Sequence, residues 1–405
     1  TALRDLNNTR PDLQPRKYTY DQLHRITGMY SYVDQIESDI RQFGWNGDQT
    51  SSIYGTKYSY DANGNLKTLF RNSAEGSMDE LIYDFNNNQN LLRYIEDGVD
   101  DAGLGDISDR NYTGSYDASG NLIMDINEGI EAIEWNHFGK IKKIYKGKKT
   151  ISFIYDAMGN RVIKDVYDPN SVRENNTTYY MRDAAGNVLA TYESRPKAGA
   201  EEIEFFEAKE FHIYGSSRLG MVQLSPSIDM LSNGIKGLYL RRAGQRRYEL
   251  TNHLGNVLSV VTDNKISESG HNNGEELLSL YRPEVVSYSE YYPFGWKMPT
   301  RSGQTDSYRY GFNGKEKDDE VKGDGVQYDY GFRIYDSRMA RFLSVDPLTS
   351  SFPFYTPYQF AGNKPIWAID LDGLEEWKVT GVAGEEGTIY GPYQDQKTAQ
   401  DAADN

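Results

Sequence analysis

Short strand-like runs alternate along the chain with one polar phrase, and no extended run carries helical periodicity. The phrase is Tyr-Asp-Ala-x-Gly-Asn, at residues 60–65, 116–121 and 155–160. Around the first copy, Ser59 and Tyr60, then Leu66, Lys67, Thr68 and Leu69, have strand character. Between them Asp61 and Asn63 can bond their own backbone and Gly64 accepts a positive φ. Each copy therefore predicts a β-hairpin. Degenerate copies keep the outline at Tyr20-Asp21, Tyr83-Asp84, Trp135-Asn136, Arg182-Asp183 and Thr251-Asn252. The steps from Tyr116 to Trp135 and from Trp135 to Tyr155 are 19 and 20 residues, which suits a strand, a turn, a strand and a return turn. A small unit copied many times puts the first functional question on what the array builds. The predicted fold class is all-β and antiparallel.

With 405 residues the chain is long enough for several ordinary domains, yet the repeat predicts one continuous body. Tyr is in excess, 33 copies against 13 Pro, and its amphipathic ring suits strands that pack on one side and meet water on the other. The formal charge of −16 argues against nucleic-acid binding by the body, since phosphate contacts need clustered cations. The basic stretch of Lys140, Lys142, Lys143, Lys146, Lys148 and Lys149 reads as a solvated strand face. Zero cysteines exclude a disulfide framework and a thiolate metal site. No apolar run approaches the roughly 20 residues of a membrane-spanning helix, and Thr1 opens without a secretory-signal pattern. The chain reads as a piece of something longer.

Repeats are densest up to about residue 192. From about 193 to 240 the pattern loosens into a longer hairpin with an exposed loop, and Ser267 to Glu276 reads as a second surface loop. At Tyr291-Tyr292-Pro293-Phe294-Gly295-Trp296 the texture changes, which reads as a boundary rather than another hairpin of the repeat.

Beyond it stand Gly314-Lys315-Glu316, Gly331-Phe332-Arg333-Ile334-Tyr335-Asp336, Arg341-Phe342-Leu343-Ser344-Val345-Asp346-Pro347 and Asp370-Leu371-Asp372-Gly373-Leu374. Over roughly residues 18 to 374 the chain resembles the RHS-repeat (YD-repeat) family. Its later part resembles the RHS-associated core, in wording closest to the Bacteroidetes branch of polymorphic toxins and toxin-complex C components. The resemblance implies a long β-sheet ribbon of YD hairpins spiralling into a hollow shell, or cocoon, or part of one. It divides the chain into a ribbon (1–300), a core with a self-cleaving aspartic peptidase (301–374) and the incomplete start of a C-terminal toxin (375–405).

The resemblance also implies catalytic residues. An Arg some 13 residues before an Asp-Pro phrase, and the first Asp of the terminal phrase, carry over to Arg333, Asp346 and Asp370, with Asp372 as second choice. The cleaved bond falls between Leu374 and Glu375. Val345 and Leu371 depart from the family, which has Pro at both places. The chemistry has its own logic: two adjacent carboxylates do not both ionise cheaply, so one keeps a proton to polarise the carbonyl while the other activates water. A substrate bond close to Asp370 on the same chain replaces substrate affinity by proximity.

Other candidates fall away. Position 12 counted from Asp61 is Asn72, not the bidentate Glu of a calcium loop. His24, His137, His212, His253 and His271 show no metal-ligand spacing, and Gly103-Leu104-Gly105 lacks the third glycine of a dinucleotide fingerprint. No cofactor or metal is expected. Residues 375–405 are too few for a toxin of their own. At roughly 20 residues per repeat the chain offers on the order of 18 hairpins, short of a sealed cavity. The expected partners are the chain's own C-terminal toxin as cargo, an upstream shell segment or second shell chain, secretion machinery and an immunity protein. The expected place is outside the cell or at its surface. The alternative reading is a noncatalytic adhesion module whose ribbon binds carbohydrate or a protein partner.

Overall fold

The computed structural model describes residues 16–32, 50–86, 89–99, 107–171, 175–196, 203–224, 242–272, 275–374, 376–380 and 388–390. These residues form four antiparallel sheets, and within each sheet every strand pairs with its neighbour in the chain. A seven-stranded sheet runs from Arg16–Tyr20 to Arg110–Asn111, and a twelve-stranded sheet from Ile130–Trp135 to Lys297–Gln304. Four short strands follow (Glu316–Lys317, Gln327–Asp329, Ile334–Asp336, Arg341–Phe342). A last sheet pairs Ala368–Asp370 with Glu376–Thr380 and that with Thr388–Tyr390. One α-helical turn, Asp319–Lys322, interrupts the strands of the described residues.

The repeated phrase builds the turn in the way its residues predict. Asp61 Oδ1 accepts the backbone N–H groups of Asn63 and Asn65 at 2.8 and 2.9 Å, and Oδ2 accepts the Asn65 side-chain amide at 2.8 Å. Gly64 sits at φ +87°, the left-handed region where a side chain is disfavoured. The two backbone N–H acceptances recur at Asp117, Asp156, Asp183, Asn136 and Asn252.

The residue before the turn has its own task. The Tyr60 hydroxyl donates to the Ile26 carbonyl at 2.7 Å, and Ile26 directly follows the preceding turn on the same ribbon edge. Trp135 to Leu122, Tyr155 to Ile141, Arg182 to Arg161, Tyr214 to Val188 and Tyr291 to Val257 repeat this clasp at 2.8–3.0 Å. The residue before the turn therefore fastens these hairpins to an earlier one, whereas the Tyr83 hydroxyl donates to the Met339 carbonyl at 3.2 Å.

Three expectations need correction. The copy at 116–121 makes the turn but not the strands: only an isolated Tyr116–Leu122 bridge flanks it, and the Leu122 N–H bonds the Leu343 carbonyl instead. The ribbon is interrupted there because a strand exists only where a neighbour takes its backbone bonds. At Tyr292-Pro293-Phe294-Gly295-Trp296 the chain does form another hairpin of the same kind. Tyr292 N–H bonds the Trp296 carbonyl and Gly295 N–H the Tyr292 carbonyl, both at 2.8 Å, with Gly295 at φ +90°. The backbone pair closes this turn without an Asp. Finally, most of the expected loop from Ser267 to Glu276 lies within the strands Val257–Asn272 and Glu275–Tyr291. Ladder bonds come from the backbone, so a polar composition does not forbid them.

The segment after residue 304 covers one face of both sheets. Phe312, Tyr328, Tyr335, Phe342 and Phe360 share an apolar core with Leu69, Leu81 and Ile95 of the first sheet and Ile133, Ile144 and Phe153 of the second. It is also sewn to the turns: Asn363 donates to Gly64 O at 2.8 Å, Tyr358 to Gly120 O at 2.6 Å and Asn313 to Leu254 O at 3.0 Å. Buried ion pairs complete the join, chiefly Arg161 bidentate on Asp318 at 2.8 and 2.9 Å. The ribbon's ends also meet: Tyr292 donates to Asn72 O at 2.7 Å, and Met29, Tyr54, Met78, Tyr292, Trp296 and Met298 pack together. No helix among the described residues is long and apolar enough to cross a membrane.

Two substitutions separate clasp from join. Tyr155→Phe removes one hydroxyl bond and is expected to cost about 1 kcal/mol. Asp318→Ala leaves the buried Arg161 guanidinium with Asp329 as its remaining carboxylate and is expected to cost about 3 kcal/mol. Urea unfolding midpoints of the two variants check the ranking.

Candidate functional site

Arg333 lies between the strands Gln327–Asp329 and Ile334–Asp336, 3% exposed, with its guanidinium carbon 3.8 Å from the centre of the Phe342 ring. The ring blocks one face, so the guanidinium meets its acceptors in its own plane. Nη1 donates to the Pro357 carbonyl at 3.1 Å and Nε to the Gly373 carbonyl. Nη2 faces two carboxylates at once: Asp346 Oδ2 at 2.8 Å and Asp370 Oδ2 at 3.4 Å. Three residues spread over the last third of the chain thus converge on one nitrogen.

The two carboxyls differ in setting. Asp370 ends the strand Ala368–Asp370, is 2% exposed, and accepts the Gly373 N–H on Oδ1 at 2.6 Å. Burial pushes its carboxyl up to about 6 against the opposing pull of Arg333. Asp346 follows the strand Arg341–Phe342, and its Oδ1 accepts the Leu348 N–H at 2.8 Å. Its side chain is 16% exposed, and burial raises it too, again against Arg333. Asp372 makes no hydrogen bond to Arg333 among the described residues. Its carbonyl accepts the Phe332 N–H at 2.8 Å and its Oδ1 is buried without a partner.

The segment leading to the expected cleavage point is pinned by consecutive carbonyls. Leu371 O accepts Lys315 Nζ, Asp372 O the Phe332 N–H, and Gly373 O the Arg333 Nε. Gly373 is at φ +88°, where an added Cβ would stand 2.9 Å from Arg333 N. The close approach therefore requires glycine. Leu374 is half-buried, and Glu375 lies outside the described residues. Leu371, in place of the family's Pro, is 37% exposed. Val345, in place of the other, lies against the turn at Gly120.

Lys315 was not foreseen as part of this cluster. It is half-buried, 5.1 Å from the Tyr330 ring centre, and desolvation lowers its ammonium pKa while Asp370 raises it. Its place in the Gly314-Lys315-Glu316 phrase was visible, but the 56 residues separating it from Leu371 hid the contact.

No family model matches the chain. It is similar to salivary gland surface protein 1 of Aedes aegypti, 26% identical over 286 residues, covering 69% of this chain and 7% of that protein. It is also similar to toxin subunit YenC1 of Yersinia entomophaga, 22% identical over 381 residues, covering 88% of this chain and 33% of that subunit. The chain therefore spans a third or less of the length of these relatives. Among solved structures, the TcdB2–TccC3–Cdc42 complex matches 89% of this chain and 16% of its own with a TM-score of 0.59 at 19% identity. A Photorhabdus luminescens Tc holotoxin pore with a mutated TccC3 matches 94% and 16% with a TM-score of 0.60 at 18% identity. The fold, an antiparallel β ribbon, is one this chain shares with the TcdB2–TccC3 structures. In fold the chain is thus similar to components of Tc toxins, and in sequence to one toxin subunit.

Asp370 keeps its proton up to about pH 6 in the folded chain, against the ordinary value of 3.8. Between these values folding takes up a proton, so Asp370's contribution to stability is present below 3.8 and lost as pH rises through about 6. Asp370→Asn is expected to flatten the pH profile of the unfolding midpoint across that window, as read by chemical denaturation at stepped pH.

Proposed function

We propose that this chain is part of an RHS shell, closest in wording to the Bacteroidetes proteins, that encloses a C-terminal toxin and cuts it free by one aspartic self-cleavage after Leu374. The observation that carries this reading is the single Arg333 nitrogen facing Asp346 and Asp370 beside a carbonyl-pinned segment. Asp370, the more buried and with its carboxyl raised to about 6, is the proton donor to the Leu374 carbonyl. Asp346, nearer to Arg333 and to solvent, is the carboxylate that takes a proton from the attacking water. Arg333 keeps that carboxylate ionised while aligning the segment through Gly373 O, and Lys315 aligns it through Leu371 O. Because nucleophile, acid and substrate bond share one chain, positioning supplies much of the rate and a single turnover is sufficient.

In this reading the cargo lies downstream and further shell comes from more chain or a second polypeptide. The assembly works outside the producing cell, with export machinery and an immunity protein as partners. A second reading, a noncatalytic binding ribbon, is favoured by one observation: Phe206, 55% exposed, lies between Tyr179 and Tyr192 at 5.4 and 5.5 Å. Such a row of rings suits carbohydrate or a protein partner.

Intact mass under denaturing conditions decides between them. The first reading expects a break after Leu374 in the native sequence and an unbroken chain for Asp346→Asn; an unbroken native chain, or unchanged cutting in the variant, refutes it. Cutting should also slow as pH rises above about 6, where Asp370 loses its proton. Under native conditions the cut segment should stay bound, because Ala368–Asp370 pairs with Glu376–Thr380 through Ala368↔Lys378, Ile369↔Trp377 and Asp370↔Glu376.

A further inference from the structure

A second cluster of charge lies away from Arg333 and takes no part in the proposed cleavage. Lys322, the last residue of the turn Asp319–Lys322, places Nζ 2.8 Å from Asp125 Oδ2 and 2.9 Å from Asp336 Oδ2. All three side chains are 0% exposed. They belong to three separate elements, each fixed by its own backbone. Asp125 exchanges both backbone bonds with Ile130 at 2.9 Å, and Asp336 ends the strand Ile334–Asp336. The nearby Glu128 is engaged by Arg110 at 2.7 Å and by Arg338.

The two carboxyls are not equivalent. Asp336 Oδ1 accepts the N–H groups of Arg338 and Met339, both at 3.1 Å, and Lys322 with these bonds holds its carboxyl below the ordinary value. Asp125 Oδ1 is buried and accepts nothing. Asp125 therefore has the fewer donors of the two. Burial opposes the charge on Lys322, but Asp125 and Asp336 raise the pKa of its ammonium, so the amine rests as the cation between them.

We propose that Lys322 and Asp125 join in an intramolecular isopeptide bond, with Asp336 moving the protons. Asp336 takes a proton from the Lys322 ammonium and passes it to the Asp125 carboxyl, an uphill transfer because both groups favour their charged forms. The free amine attacks Cγ of the Asp125 acid so formed, making the N–C bond. Asp336 takes the second proton from nitrogen and passes it to the departing hydroxyl. The products are a secondary amide, one water and Asp336 as the carboxylate it began as, so atoms and charge balance without any co-reactant. Fixed backbones hold amine and carboxyl at reacting distance, the condition under which proximity replaces an activating group. The link would span 197 residues and tie the stretch between the two sheets to the covering segment.

Intact mass and tandem mass spectrometry of tryptic peptides test this, on whichever chain or fragment carries residues 125 and 322. The expected result is a mass lower by one water than the sequence requires, and a branched peptide joining Lys322 to Asp125. Asp336→Asn keeps a side chain of the same shape beside Lys322 and should give the full mass with linear peptides. A full mass in the native chain overturns the proposal, as does a water loss without the branched peptide. A link that persists in Asp336→Asn removes the role given to Asp336. None of these readouts depends on cleavage after Leu374.

Discussion

The structure depends on burying one face of a ribbon that, among the described residues, has one short α-helical turn, Asp319–Lys322, in the segment that covers it. A β-sheet with one apolar face needs a second layer, and here residues 305–370 are that layer. Tyr335 shows how it works: fully buried, its ring lies tilted on Phe360 with centres 4.5 Å apart, and it donates to the Phe294 carbonyl at 2.8 Å. The layer has little regular structure of its own, so it binds through side chains and through the turn carbonyls the ribbon presents along its edge. Those carbonyls exist because the repeated turns leave them outward. Wall and covering segment are therefore specified together.

The same requirement explains the charged interior. A layer carrying Asp318, Lys322, Asp336 and Arg333 buries ions that would each be costly alone. Each is met by a partner from the wall or from elsewhere in the layer, as Arg161 meets Asp318 and Asp125 meets Lys322. Such pairs add little over an apolar core, but losing one member is severe, so they fix how the layer sits more than how tightly it holds. The placement of Arg333 beside Asp346 and Asp370 benefits from that fixing.

Much of this was legible in the sequence, for local reasons. Asp61-Ala62-Asn63-Gly64-Asn65 announces its turn because every bond that closes it lies within five residues. The turn at Tyr292 was misread because its bonds are backbone only, and backbone leaves no trace in residue type. The copy at Tyr116 was over-read because a strand needs a neighbour, which its own residues do not reveal. Arg333, Asp346 and Asp370 were named through family resemblance, which carries long-range contacts that spacing alone does not. Lys315 and the meeting of Lys322 with Asp125 had no such guide, and a lysine's partner 197 residues away is invisible to periodicity or propensity.

The clasp from Tyr60 to Ile26, repeated through Tyr155, Tyr214 and Tyr291, has a direction. Each donor reaches back to a carbonyl on chain already made, never forward to chain still to come. The ribbon therefore has a polarity of construction as well as of sequence. Emerging from the ribosome, each of these clasped hairpins finds its fastening point in place, and a growing sheet has open edges only at its first strand and its newest. The covering segment comes last, when the face it must hide is finished. Such an order keeps a long all-β chain, built largely of strands, from presenting many sticky edges at once.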